Sequence, residues 1–247
     1  MPATDAFHVL DEFARGFPPD SWMLVGGLMV HAHALRAGVE NARVTLDADI
    51  VVEVAVTSYR EAATAAEAIG FSRTESLDHA EPVYRFARRD EVIDIMVPDR
   101  GGEVRLGGRA VLAASGTASA LRRTETFTTP DGTRIRIPDL TAALSIKGAA
   151  TETASLNPVR HAQDGVALFA CVIGPGARAP SKSERANINT LIRRMGSPEA
   201  WSLASDQTRH RAIKGVQWFR PDWTLPEFQE RRRGLRRTAG PGPDQRQ

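Results

Sequence analysis

Asp47 and Asp49 stand two residues apart in Asp47-Ala48-Asp49-Ile50-Val51-Val52. On a β-strand alternate side chains share a face, so both carboxylates leave the same side about 6–7 Å apart. The apolar, β-branched run behind them reads as a buried strand. Carboxylates at the mouth of such a strand repel each other and lose hydration, and a divalent cation offsets both costs. Magnesium suits the pair, because it takes oxygen ligands and shares them with phosphates. A D-x-D is also short enough to be no more than a solubilised strand end. Gly26-Gly27 is a second, independent signal, lying between the apolar strand 22–25 and the helix-forming run 28–35. A turn without side chains at a helix N-terminus leaves N–H groups and the positive end of the dipole open to phosphate. Its spacing is neither a dinucleotide fingerprint nor a P-loop.

A third carboxylate comes from Asp94, within the segment 82–98. Two apolar runs flank the polar Arg88-Arg89-Asp90, which predicts a hairpin with Asp94 in its second strand between Ile93 and Ile95. An ionised aspartate there is costly unless it is paired or metal-bound, or unless it faces solvent on an alternating strand.

These residues resemble the nucleotidyltransferase superfamily of the DNA polymerase β type. The resemblance is nearest to its AbiEii/AbiGii-like branch of bacterial toxins and extends over about 7–171. It rests on Gly26-Gly27 after an apolar strand, Arg43-x-Thr45-x-Asp47-x-Asp49, and the later Asp94. By this resemblance Gly26, Gly27, Arg43 and Thr45 bind the nucleotide. Asp47, Asp49 and Asp94 hold two magnesium ions, with Asp94 completing the one that activates an acceptor hydroxyl. Many relatives carry Gly-Ser at the turn, so Gly27 removes a hydroxyl contact to phosphate. The interval from Gly27 to Asp47 is also longer than in minimal members.

Two downstream segments extend the match. The run 137–150 resembles the branch's helix that brings a lysine to the triphosphate, here Lys147; a snorkelling surface lysine is the plainer alternative. In 157–168 relatives often show K-H-x-x-D, and this chain has Arg160, His161 and Asp164. His161 and Asp164 share a helix face, so Asp164 either joins Lys147 in a charged cluster or binds Arg160 at the surface.

The elements needed to position these groups follow from periodicity and turn signals. Helices are expected over 5–15, 27–37, 58–69, 109–115, 138–153, 158–171, 183–194, 198–204 and 206–219. Strands are expected over 22–25 and 47–54, with hairpins at 83–97 and at 125–137, the latter turning at Asp131-Gly132. The fold class is α/β, a nucleotidyltransferase-like mixed sheet flanked by helices and followed by a C-terminal helical domain. The expected division is an α/β domain 1–137, a helical domain 138–228 and a basic disordered tail 229–247.

The chain has 247 residues and a net charge of +2. Its single cysteine excludes an intrachain disulfide framework and, with neither a signal peptide nor a spanning apolar run, suggests a cytoplasmic protein without a membrane partner. His31 and His33 are two apart on a predicted helix and point apart, which argues against zinc. Arginines gather late, from Arg193 to Arg237, near Trp218, Phe219 and Trp223. That tract suits a nucleic-acid backbone and equally a solvated tail.

The function expected is a magnesium-dependent transfer of NMP from an NTP to an acceptor hydroxyl. The resemblance suggests a tRNA 3′ end or other RNA as acceptor and an antitoxin protein as partner. A small-molecule or protein acceptor, or a catalytically silent nucleotide- or partner-binding module, is the alternative.

Overall fold

The apolar run that ends at Val52 becomes β2 (Asp47–Val52), an interior strand of a mixed sheet. This is seen in a computed structural model that describes residues 7–41, 43, 45, 47–74, 78, 81–152, 158–172 and 177–225. The strands joined in order are β1 (Trp22–Leu24), β2, β5 (Glu91–Pro98), β4 (Arg85–Arg88) and β3 (Ser72–Arg73). β2 and β5 are parallel, and the other neighbours along this path are antiparallel. A sixth strand, β8 (Ala113–Ala114), runs parallel to the end of β5, beyond the reach of β4.

Two short hairpins lie off the sheet, β6 (Arg105–Leu106) with β7 (Arg109–Ala110), and β9 (Thr124–Thr128) with β10 (Arg134–Pro138). Among the described residues eight α-helices accompany them: α1 (His8–Gly16), α2 (Gly26–Ala37), α3 (Tyr59–Ala68), α4 (Thr117–Ala120), α5 (Leu140–Ala150), α6 (Pro158–Ala170), α7 (Lys182–Arg194) and α8 (Asp206–Phe219).

The sheet separates two apolar clusters, as alternation along buried strands requires. Ile50, Val52, Ile93 and Ile95 face a large cluster that takes in α1, α2 and α3 and continues through Leu168, Ile188, Trp201 and Val216 of the later helices. Met23, Val51 and Met96 face a smaller one closed by Ala120, Leu121, Ala142 and Ile146. Asp49 and Asp94 share strand parity with Val51 and Met96, so they belong to the smaller cluster's side.

Helix ends are fixed locally. Ser58 and Ser181 each form a reciprocal capping box, with Glu61 and Glu184 respectively, and Asp139 caps α5 through the Ala142 N–H. α5 crosses α7 at Gly148, where a Cβ would lie 2.0 Å from the Asn187 carbonyl oxygen, so only glycine permits this approach.

Most predicted elements are present, with three corrections. The segment 109–115 is not a helix: Gly107 and Gly108, both at positive φ, turn the chain, and Ala110 and Leu112 then bond to Val83 and Val97. A sheet edge thereby outweighs local helix preference, and only α4 follows. The run 198–204 is reduced to a 3-10 turn, Pro198–Trp201. The strand predicted over 47–54 ends at Val52: Glu53 still bonds to the Ser21 carbonyl, but its own carbonyl accepts from the Val56 and Thr57 N–H groups and the chain turns away. The basic tail 229–247 and the start of the helix predicted at 5 lie outside the described residues.

Candidate active site

β1 hydrogen-bonds to β2 with Leu24 opposite Ile50, and the Val25 N–H donates to the Asp49 carbonyl at 2.8 Å. The chain must then leave the sheet, and Gly26 turns it directly into α2 at φ 65°. A Cβ on Gly26 would stand 1.8 Å from an Asp49 carboxylate oxygen, and the Gly27 N–H donates to the same carboxylate. The N-cap residue of α2, Val25, makes no side-chain hydrogen bond to the helix start, and Asp49 is the anion that meets its positive end.

β2 lies parallel to β5 with Asp49 directly opposite Asp94 and Asp47 opposite Val92. Two carboxylates on one face are thus adjacent across the sheet, and a third is two residues away. Burial, then the Asp94 and Asp47 charges, raise the Asp49 carboxyl to about 6, against opposing help from Lys147 and the Gly27 N–H. Burial likewise raises Asp94, with Arg85 pulling the other way.

On its other side Asp94 faces β4. Arg85 is its register partner and clamps it with both prongs, Nε to Oδ1 at 2.9 Å and Nη2 to Oδ2 at 2.8 Å. Arg85 was missed in the sequence, although the signal was there. With a two-residue turn at Arg89-Asp90, counting back along the hairpin puts Arg85 opposite Asp94. Among the described residues no three His, Cys, Asp or Glu side chains are gathered tightly enough to share an ion as they stand. The reason is visible in the bonds: Asp49 is turned to Gly27 and Asp94 to Arg85.

The second group of predicted residues forms a separate cluster. Lys147 on α5 is buried rather than snorkelling, and its Nζ lies 2.6 Å from Asp164 on α6. Asp164 also accepts from Arg43, at 2.6 Å from Nε and 3.2 Å from Nη2. Asp164 therefore joins Lys147 and Arg43, with Arg160 exposed on the same helix. His161, one turn earlier, is held neutral: burial first, then Lys147, lower it to about 4, and its Nδ1 has no partner among the described residues.

The two groups meet at Gly27. A Cβ there would fall 2.4 Å from Arg43 Nη2 and 2.7 Å from Thr45 Oγ1. Arg43 and Thr45 occupy the space that a serine at this turn would need, which gives the Gly27 departure a steric reason.

The late aromatic and basic tract divides. Trp223 stacks on Trp201 and Phe219 meets Phe169 edge-on, whereas Trp218 is exposed. Arg211 donates to the Ala170, Ala37 and Gly38 carbonyls, at the ends of α6 and α2, and Arg209 donates to the Trp201 carbonyl. These two arginines close helix and turn ends rather than face a ligand. No helix among the described residues is long and apolar enough to cross a membrane.

No protein-family model matches the chain, and no curated protein matches it.

Proposed function

We propose that this protein is a magnesium-dependent nucleotidyltransferase that moves NMP from an NTP to an acceptor hydroxyl. The observation that carries the reading is the parallel register pairing Asp49 with Asp94, directly beside the Gly26-Gly27 start of α2. The donor set fits the cation. Burial and neighbouring carboxylate charge raise Asp49 and Asp94 on this sheet face, an anionic excess that a hard divalent ion relieves. Asp47, Asp49 and Asp94 would hold it. When bound, the ion supplies Lewis acidity and positive charge to the phosphoryl group in transfer.

The chain's own groups do the rest. The Gly26 and Gly27 backbone and the α2 dipole offer donors to phosphate oxygens, and Lys147, oriented by Asp164, adds positive charge in the field felt by Asp49. The acceptor oxygen attacks the α-phosphorus, and the bond to the pyrophosphate oxygen breaks. The acceptor's proton leaves as the new bond forms, and the carboxylate face beside the acceptor would take it up.

The acceptor we propose is an RNA 3′ hydroxyl, with an antitoxin protein as partner; both rest on the resemblance in the motifs. One observation favours a silent binding module instead: Asp94 is closed by Arg85, and Lys147 is neutralised by Asp164. The purified protein, incubated with each labelled NTP, magnesium and total RNA, separates these readings. Label in tRNA supports the proposal, label in protein moves the acceptor, and absence of both labelling and calorimetric NTP binding rejects it.

A further inference from the structure

A cleft of about 610 Å³ opens between the end of β5, α4, α5 and α7. Ser145 and Ala149 of α5 line it, each two residues from Lys147. Residues two apart on a helix point some 200° apart, so the cleft lies across α5 from Lys147 and Asp164. It is therefore separate from the candidate active site.

Its charges are arranged unevenly. Each wall carboxylate accepts from a neighbouring donor: Asp99 from the Gly116 and Ala118 N–H groups, Glu184 from Arg178 and the Ser181 N–H, and exposed Glu152 from the Thr190 hydroxyl alone, at 3.3 Å. The arginines are not so engaged. Arg100, Arg122 and Arg123 line the cleft, all exposed, and none has a carboxylate within ion-pair distance among the described residues. Arg122 gives one N–H to the Ala118 carbonyl. Ser115 adds a hydroxyl to the same wall, whereas Ser119 donates its own to the Gly116 carbonyl.

Guanidinium groups without a carboxylate partner, beside the Ser115 hydroxyl, match phosphate oxygens, and the volume is that of a nucleotide-sized ligand rather than a single small anion. We propose that this cleft is a second ligand site, for a small molecule carrying more than one phosphate group. The inference does not depend on the activity proposed above.

Pyrophosphate in the presence of a chelator is the probe, since without a cation the three carboxylates of the candidate active site repel it. Calorimetric titration of the full chain is expected to give saturable binding. Arg122→Gln combined with Arg123→Gln should weaken it about tenfold or more. The pair Arg15→Gln and Arg60→Gln, exposed on α1 and α3, should leave it unchanged. Citrate should bind about tenfold more weakly than pyrophosphate. No binding by the unaltered protein, an equal loss in the control pair, or equal affinity for citrate would overturn the proposal. So would a single-stranded RNA that outcompetes pyrophosphate through the same two arginines, because the occupant would then be a polymer. Both arginines are exposed, so unchanged melting of the variant shows that the loss is local.

Discussion

Asp94 and Asp164 are both buried aspartates gripped by an arginine, yet their surroundings differ in what completes them. Asp164 sits between Lys147 and Arg43, and its side chain and that of Lys147 are 2% and 5% exposed. Each charge there has an opposite charge against it. Asp94 has Arg85 on one side and another carboxylate, Asp49, on the other, and the Arg85 side chain is 42% exposed. One cluster is closed upon itself, while the other is short of positive charge and can exchange partners with solvent. Burying a charge is tolerable in the first case because it is paired; in the second the deficit is what the proposed cation would relieve.

The comparison can be broken most decisively at the sheet. Asp47→Ala with Asp49→Ala should reduce NMP transfer to background while thermal melting shows an intact fold. Measurable transfer by this variant would remove the acids from the chemistry. The helical cluster should behave in the opposite way. Asp164→Ala strands two cations in the interior and should cost about 3–5 kcal/mol in denaturant unfolding. A loss below about 1 kcal/mol would show that water already shares the cluster.

Arg85 sharpens the contrast. It competes with any cation for Asp94, so Arg85→Gln should tighten manganese binding about tenfold in calorimetry without nucleotide. Unchanged affinity would mean that Asp94 takes no part in holding the ion, whereas a chain that binds no manganese in either form would reject the metal site itself.

The smallest effect concerns pH. The Asp49 carboxyl is raised from 3.8 to about 6, so it binds a proton more tightly folded than unfolded. Its contribution to stability is complete below 3.8 and is lost as the pH rises through about 6. Without metal, Asp49→Asn should therefore melt a few degrees higher at pH 7 and show no gain near pH 4. An equal shift at both pH values would point to packing rather than charge.

Much of this was legible in the chain. Alternation and glycine turns gave β1, α2, β2 and the β4–β5 hairpin, and with them Gly26, Asp47, Asp49 and Asp94, because local pattern and final position agree there. What was hidden depends on pairing between distant segments. The 109–115 run carries helix formers but is taken up beside β5. Whether Asp164 would find Arg160 or Lys147 was decided by the docking of α6 on α5, which no spacing along one helix can express. The steric reason for Gly27 likewise required Arg43 and Thr45 to be folded against it.

The match of Asp49 to Asp94 across β2 and β5 has one more consequence. A slip of one residue would bring Ile93 or Ile95 opposite Asp49 and turn Asp94 towards the apolar core. A misfolded copy thus loses the acid pair entirely instead of holding a weaker version of it. Competence at this site and correctness of the central sheet are inherited together, so a population of chains should divide into able and unable molecules with nothing graded between.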